Sequence, residues 1–529
     1  MSSQEARPEP VWLYGLAGAL MTGGPLWHYL YVNHYPLRVE AVVLPLVAAL
    51  LGALIGLLAR KFNSFVGTLI FALLLFVFVD LQFDPHKQLP LLLIAVLCAG
   101  FAQLFRWRRA TLVCITLGAL YVVSLPRTRE HRSVRLSAIS APVSTTAPLL
   151  VHVILDEQWG TGGLRAAGDS ATATFLENFY LKRGFEVYSG AYSRYRLTRF
   201  AIADLLSLGQ PFSLDSLTSS ENRQWSEARM RPRSNPYFSR LRKRGYSLRV
   251  YESGYLDYCV TRGAEVASCD RTPSNSISNV GHLRGQWTSR ALIAGRFFLN
   301  ITSNLYVRVR HDEQLWRRAV TGGALAQLDR LLVDLDTVRP GASAYFVHLL
   351  LPHRPLEVDE ACRAYWDGAH RVTYGRLRRR PMSDSLWRAR LHRYAEQSRC
   401  AHRFLDEVIA AIDSTVGRDR SIIVVHGDHG SRMVKHGSAT ERLADMDAGQ
   451  LNSVFSTLLA LRRPGIPARV HPQPVPVQDF LWSTIENDYK PVRAQRWRHY
   501  VRTVPPNWVA RDTLRRLGTA DMPWARALP

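Results

Sequence analysis

Ser421-Ile-Ile-Val-Val-His-Gly-Asp-His-Gly-Ser-Arg432 is the stretch on which the reading of this chain turns. Its β-branched run is short, apolar and halted by Gly427, the pattern of a strand buried on both faces of a parallel sheet. Asp428 and His429 follow directly, between glycines whose backbone freedom lets both side chains turn onto one cation. Carboxylate oxygen with imidazole nitrogen suits Zn²⁺ or Mn²⁺ better than Ca²⁺. Chance would supply about one Asp-His pair in a chain of 529 residues, so it is the placement after Ile-Ile-Val-Val that carries the signal.

Two similar runs lie upstream. Leu149-Leu-Val-His-Val-Ile-Leu155 ends in Asp156-Glu157, and Ala344-Tyr-Phe-Val-His-Leu-Leu-Leu351 is halted by Pro352. Between the second and third runs, Leu391, Tyr394, Leu405, Val408 and Ile412 recur at helical spacing over 389–413. Strands alternating with helices predict an α/β domain with a mostly parallel sheet covered by helices on both faces. Ligands of such sheets gather at the carboxyl ends of the strands, where the polar clusters of this chain fall.

Three more clusters join the first. Asp156-Glu157 at a strand end can complete a metal site or cap the next helix. Thr198, in Tyr195-Arg-Leu-Thr198-Arg-Phe-Ala-Ile-Ala203, reads blandly as an N-cap; beside a cation it becomes a hydroxyl nucleophile, which is weak unless a base or metal activates it. His353 and Arg354, in Leu351-Pro-His-Arg-Pro355, suit an anionic substrate, and His436 is a weaker candidate of the same kind.

The composition divides the chain in two. Lys+Arg number 67 against 43 Asp+Glu, a formal charge of +24, yet 47% of residues are hydrophobic, so a greasy part must offset a basic one. Five apolar stretches, about 11–32, 41–59, 65–82, 89–106 and 109–125, each approach the ~17–25 residues that cross a bilayer. More spans after the first argue for an anchor rather than a cleaved signal. Arg60-Lys61 and Arg106, Arg108, Arg109 fall on one side if the N-terminus is cytoplasmic, which sends the polar remainder to the outer face. The expected organisation is a transmembrane domain over 1–126, a linker over 127–147, a catalytic domain over 148–488 with an insertion at about 213–340, and a basic tail over 489–529. A charged fraction of 21% with 10% aromatics excludes a disordered or collagen-like chain, and six cysteines exclude a disulfide-built scaffold. In an oxidising compartment Cys259 could pair with Cys269 and Cys362 with Cys400; Cys98 and Cys114 lie in the apolar spans. Nucleic-acid binding is not expected, since no reading motif accompanies the positive charge.

The order of a strand-end acid, Thr-x-x-Ala-Ile, Pro-His-x-Pro and Gly-Asp-His-Gly behind five spans resembles the membrane-anchored sulfatase-like branch of the alkaline phosphatase superfamily. That branch holds lipoteichoic acid synthases, phosphoglycerol transferases and lipid A phosphoethanolamine transferases. The resemblance covers about 145–485 and the anchor. It implies Asp156, Thr198, Asp428 and His429 as the metal set, with Glu157 instead of or beside Asp156. It also implies Thr198 as the nucleophile, His353 meeting the substrate, and Arg432 and His436 assisting. The expected enzyme sits in the inner (plasma) membrane with its catalytic domain on the periplasmic or extracellular side. It moves phosphoglycerol or phosphoethanolamine from a phospholipid donor to an envelope glycan or lipid acceptor, with Zn or Mn as cofactor. A Cys/Ser-x-Pro-x-Arg stretch, which true sulfatases convert to formylglycine, does not stand near 198. Ala203 where phosphoethanolamine transferases tend to carry proline, and Pro-His-Arg-Pro in place of their Ser-His-Gly-Pro, leave the headgroup open. The alternatives are a phosphoester or sulfoester hydrolase of the same fold and a non-enzymatic membrane protein with a degenerate site.

Overall fold

The computed structural model describes residues 9–62, 64–82, 91–105, 108–123, 147–216, 230–253, 256–259, 266–272, 276–303, 306, 319–338, 342–365, 382–436, 439, 441–490, 497–503 and 514–525. The chain divides into two units, one of Met1–His131 with Asn275–Gly322 and one of Arg132–Ser274 with Gly323–Pro529.

The first unit begins with five helices: α1 (Val11–Val32), α2 (Val39–Lys61), α3 (Ser64–Gln82), α4 (Leu91–Leu104) and α5 (Arg109–Val123). Two stretches, Val39–Lys61 and Phe65–Gln82, are long and apolar enough to cross a membrane; α4 and α5 are shorter apolar helices. α1 has the length, but Gly23, Gly24, Pro25 and His28 dilute it. Of the five expected spans, two therefore meet the test of length and apolar content, and the ends at 83–90, 106–107 and 124–146 lie outside the described residues. α1 and α2 pack closely through small residues: a Cβ on Gly18 would stand 2.0 Å from the Gly52 carbonyl oxygen, and Thr22 Oγ1 donates to Ala48 O at 2.6 Å.

The second unit is an α/β domain. Its strands are β1 (Leu149–Leu155), β2 (Glu186–Tyr192), β3 (Leu214–Ser216), β4 (Met230–Pro232), β5 (Ser247–Ser253), β6 (Ser268–Thr272), β7 (Ser343–Leu349), β8 (Ser421–Gly427), β9 (Leu459–Arg462), β10 (Arg469–Pro476), β11 (Tyr500–Arg502) and β12 (Leu514–Arg516). Eight of them form one sheet in the order β10-β2-β9-β8-β1-β7-β5-β6. β9 runs antiparallel to both of its neighbours, and the other pairings are parallel. Further α-helices among the described residues are α6 (Thr161–Ala166), α7 (Ser170–Lys182), α8 (Thr198–Leu206), α9 (Pro236–Lys243), α10 (Trp287–Thr302), α11 (Ala319–Asp336), α12 (Asp384–Thr415), α13 (Ala448–Phe455) and α14 (Val477–Glu486).

Every residue of β1, β2 and β8 is buried, which requires cover on both faces of the sheet. On one face Leu150, Ile154, Phe346 and Val424 pack with Phe200 and Leu205 of α8, Tyr237 and Leu241 of α9, and Phe480 and Leu481 of α14. On the other, the Tyr251 hydroxyl donates to Asp334 of α11, and buried Arg462 pairs with Asp413 of α12. Within the stretch read as an insertion, β5 and β6 extend the sheet, whereas Asn275–Gly322 groups with the N-terminal helices. Parts of the C-terminal tail are structural: Val501, Met522 and Trp524 are buried against Tyr192 and Val454.

Cys259 is bonded to Cys269, and Cys362 to Cys400, the second bond tying the loop after β7 to α12. In the middle of α12, buried His402 donates from Nδ1 to Ser398 O at 2.7 Å and accepts at Nε2 from the Tyr180 hydroxyl at 2.9 Å. Burial pushes its pKa down to about 4. Below pH ~6.5 the unfolded chain takes up a proton at this position that the folded chain refuses, so the native state loses about 1.4 kcal/mol per pH unit from this group, about 3 kcal/mol between pH ~6.5 and ~4. His402→Gln, which keeps a donor and an acceptor, is expected to flatten the pH dependence of stability by one proton. Denaturant unfolding at a series of pH values measures that slope, and an unchanged slope refutes the assignment.

Candidate active site

Four chain segments meet at the carboxyl end of the sheet. β1 and β8 are parallel neighbours, with Leu155 beside Gly427, so the residues that follow them, Asp156 and Asp428, leave the sheet side by side. β7 flanks β1 on the other side and releases the Pro352-His353-Arg354 loop. β2 leads through 193–197 into α8. There Leu197 is the N-cap and makes no side-chain capping bond, so Thr198 is the first helical residue rather than a cap. Its hydroxyl is turned to the cluster, with Oγ1 3.3 Å from Asp156 Oδ2 and 3.2 Å from His429 Nε2.

The cluster is fully enclosed: Asp156, Asp428 and His429 are 0–2% exposed, and their ligand-type atoms all lie within 4.8 Å of one another. Asp428 Oδ1 accepts from the backbone N–H of Glu157 at 3.0 Å and of His429 at 2.9 Å. Its Oδ2, like Asp156 Oδ1, accepts no hydrogen bond among the described residues. His429 Nδ1 faces the Gly430 carbonyl at 2.8 Å, and a carbonyl only accepts, so Nδ1 carries the proton and Nε2 a lone pair. That lone pair looks at Asp428 Oδ2 from 3.2 Å. Two carboxylates and an imidazole lone pair converging in a dry site repel one another unless a cation or proton lies among them. Burial and then the Asp428 carboxylate push Asp156 up to about 7. In Asp428 the pull of burial is outweighed by His429, His348 and the hydrogen bonds, which lower it. The orphaned oxygens, the histidine anchored through a backbone carbonyl and the hydroxyl of Thr198 fit a divalent cation.

Glu157 turns chiefly to two arginines, although one of its carboxylate oxygens lies within 4.8 Å of ligand atoms of Asp156 and His353. Its backbone is left-handed (φ 61°) and its carboxylate lies 2.8 Å from Arg432 Nε and 3.1 Å from Arg354 Nε. Arg432 is left-handed as well (φ 55°), so both partners of this buried pair hold a conformation rare for such residues. Burial would raise the Glu157 carboxyl, but the two arginines hold it well below the usual range. His353, largely buried, has Nε2 3.5 Å from Arg432 and 3.7 Å from Glu157. The loop is held from below by Gln397, whose Nε2 donates to Pro352 O at 3.1 Å and His353 O at 2.9 Å. His436 is exposed, beside Lys435, which pairs with Asp384 at 2.7 Å, and no described contact joins it to the cluster.

Sequence reasoning passed over three histidines inside strands. His348 and His426 are both register partners of Ile154, one on each neighbouring strand. His348 Nε2 lies 3.3 Å from Asp156 Oδ2, without hydrogen-bond geometry, while Nδ1 meets the Tyr258 hydroxyl at 2.8 Å. His426 donates from Nδ1 to the Gly427 carbonyl, so its Nε2 accepts from His152 Nε2 at 2.9 Å. His152 Nδ1 then accepts from Tyr237, and Tyr237 from Tyr489. Burial keeps His348 and His426 neutral, with pKa values lowered to about 4. The available signal was a polar ring within runs such as Phe346-Val-His-Leu349, where a strand-interior histidine needs a buried partner.

Glu157→Gln leaves the two guanidinium groups without their carboxylate. With the Arg354 side chain 29% exposed, the expected loss is about 2–4 kcal/mol of stability, with bound metal unchanged. Asp428→Asn is expected to lower metal content instead. Denaturation together with elemental analysis separates the two, and loss of metal in Glu157→Gln would make Glu157 a ligand.

No family model matches the chain, and no curated protein matches it. Among solved structures it is similar to the C-terminal periplasmic domain of EcEptC from Escherichia coli in complex with Zn, at 9% identity and a TM-score of 0.40 over 73% of this chain and 99% of that one. It is also similar to a 2-O GAG sulfatase, at 13% identity and a TM-score of 0.38 over 66% and 72%. A third similar structure is a protein in the alkaline phosphatase superfamily from Vibrio parahaemolyticus, at 12% identity and a TM-score of 0.35 over 75% and 91%. At these values the likeness is partial, and the chemistry rests on the residues of this chain.

Proposed function

We propose that this chain is a membrane-anchored, metal-dependent phosphotransferase of the sulfatase-like branch of the alkaline phosphatase superfamily. On this reading it moves a phosphoglycerol or phosphoethanolamine headgroup from a phospholipid to an envelope glycan or lipid. The observation that carries the reading is the hydroxyl of Thr198, held 3.3 Å from Asp156 and 3.2 Å from His429 at a helix start. Asp156, Asp428, His429 and Thr198 would hold the cation, which when bound neutralises the carboxylates, favours the threonine alkoxide and polarises phosphoryl oxygens.

The chain's own residues account for the remaining work. Thr198 Oγ1 forms a bond to phosphorus while the bond from phosphorus to the diacylglycerol oxygen breaks; the threonine proton leaves through the acceptor atoms facing it, and the diacylglycerol oxygen takes up a proton. An acceptor hydroxyl then attacks the phospho-threonine, its oxygen bonds to phosphorus, and Thr198 regains a proton as its own bond breaks. Arg354 and Arg432 bring two positive charges against the single charge of Glu157, a net attraction for a phosphate beside the cluster. His353 stands on the same rim, where it meets the headgroup or the leaving oxygen. The start of α8 adds backbone N–H groups directed at developing negative charge. A threonine nucleophile argues against sulfate-ester hydrolysis through formylglycine.

The anchor suits a donor held in the same bilayer. Five spans with the N-terminus inside carry the catalytic half to the periplasmic or extracellular face of the inner membrane, and the two disulfides suit such an oxidising compartment.

The test is the mass of the Thr198 peptide from protein purified out of its native membrane, with turnover of a labelled phospholipid measured beside it. A headgroup adduct on Thr198 is expected, its mass distinguishing phosphoethanolamine from phosphoglycerol. Thr198→Ala is expected to lower kcat by at least about 10³-fold, and a chelator to abolish turnover until metal is returned. Turnover with no acceptor and no adduct would make it a hydrolase, and an unmodified peptide in a metal-free protein would end the enzymatic reading.

A further inference from the structure

The part of the chain between β6 and α11 groups with the N-terminal helices rather than with the catalytic unit from which it emerges, and its contacts there are specific. From α10, Arg290 sets Nε 2.6 Å from Glu40 Oε1 and Nη2 3.1 Å from Glu40 Oε2. Both side chains are buried, and the Tyr35 hydroxyl donates to the same carboxylate at 3.2 Å. Just past α10, the Ser303 hydroxyl donates to buried Asp80 at 2.5 Å.

Glu40 lies in the first turn of α2 and Asp80 near the end of α3. A two-residue link joins these helices, and a Cβ on Gly67 of α3 would meet the Ala59 carbonyl of α2 at 2.2 Å, so they run back to back and both acids sit at the same end of the pair. Arg290 and Ser303 are thirteen positions apart in the sequence, about 20 Å of helix. α10 therefore lies across that end, with Gly295 against Leu44 and the Phe298 ring 5.3 Å from Tyr29. A helix laid across the ends of membrane-crossing helices lies in the plane of the membrane surface.

The outer side of α10 is mixed, with Thr288, Ser289, Arg296 and Asn300 beside Leu292. Its apolar face carries Ala294 and Phe297, which are buried, and at its two ends Trp287 and Ile301, which are 41% and 49% exposed. An apolar face that runs past its partners at both ends needs other cover there. On α2, the exposed side chains of Val42, Leu46 and Leu50 continue from the Glu40 end, so the same hydrocarbon can cover both. Tryptophan is favoured at that boundary.

We propose that 276–303 is a membrane-surface element, with α10 at the headgroup–acyl boundary and Trp287 and Ile301 in contact with lipid. This rests on the reading of α2 and α3 as membrane spans. The pairs at Glu40 and Asp80 then do two things: they neutralise or satisfy acids at the ends of apolar helices, and they fix the depth of α10.

The test uses the full chain with Cys98→Ala and Cys114→Ala, reconstituted in vesicles of phosphatidylcholine and phosphatidylglycerol. Single nitroxide labels are placed at Trp287→Cys, Ile301→Cys, Leu50→Cys on α2, and Ala410→Cys on the exposed side of α12. Labels at 287 and 301 are expected to resemble that at 50, relaxed more by oxygen than by a water-soluble nickel chelate, with a several-fold loss of chelate accessibility relative to 410. If 287 and 301 match 410 while 50 stays oxygen-accessible, the surface element is refuted and the spans stand. If 50 also matches 410, the membrane reading falls and takes the proposal with it.

Discussion

Two carboxylates and an imidazole lone pair, taken out of water at the ends of adjacent parallel strands, form the constraint around which this α/β unit is arranged. Asp156 and Asp428 are brought together by the register of β1 on β8 and by nothing more distant. Once they are there, mutual repulsion in a dry site is large enough that one must be protonated or a cation must join them. That requirement explains why one oxygen of each is left without a hydrogen-bond donor while the backbone saturates Asp428 Oδ1. Donor hydrogen bonds on every oxygen would have stabilised the carboxylates by themselves and left no oxygen lone pair to offer a cation.

The neighbourhood works to keep those atoms where they are. Glu157 absorbs Arg354 and Arg432, so the guanidinium groups sit close to the cluster without collapsing onto Asp156. The left-handed backbone at Glu157 is what sends adjacent acidic side chains to separate partners. Beneath the site, the ordered run from Tyr489 through Tyr237 and His152 to His426 assigns every proton along the way, so β8 is gripped by a chain of hydrogen bonds with a single direction. A polar chain of this kind in a core is costly when incomplete and rigid when complete; here every member has a partner.

The parts of this arrangement legible in the sequence are those where burial on both faces dominates. β1, β7 and β8 are continuous apolar runs because central parallel strands leave no solvent side, and their ends mark the site. β2 reads Glu-Val-Tyr-Ser-Gly-Ala-Tyr, too polar to announce a buried strand, and it is buried because Glu186 meets Arg463 and Ser189 reaches a backbone carbonyl. β10 holds three prolines, Pro472, Pro474 and Pro476, and a residue without a backbone N–H argues locally against a strand. Thr198 needed its tertiary neighbours, since an opening threonine is ordinary until its hydroxyl is seen facing Asp156. Of the acidic pair 156–157, composition treats the members alike, and only backbone φ separates them. Strand histidines such as His348 carry no period of their own, so their part in the site depends on register, which local pattern does not encode.

The same physical rule governs the N-terminal unit in a different solvent. Glu40 and Asp80 are the acids that would most disfavour placing α2 and α3 in hydrocarbon, and each sits near a helix end rather than its middle. Neither partner is drawn from the opening helices alone: Arg290 and Ser303 come from a segment that the chain delivers well over two hundred residues after Asp80 or Glu40 in sequence. The N-terminal helices thus gain partners for the acids at their ends only after part of the α/β unit has been made. A buried charge such as Glu40 is costly without its partner, so the N-terminal unit is complete only with the segment that carries Arg290. The partners of Arg290 and Ser303 lie in α2 and α3, a pairing that local sequence pattern does not encode.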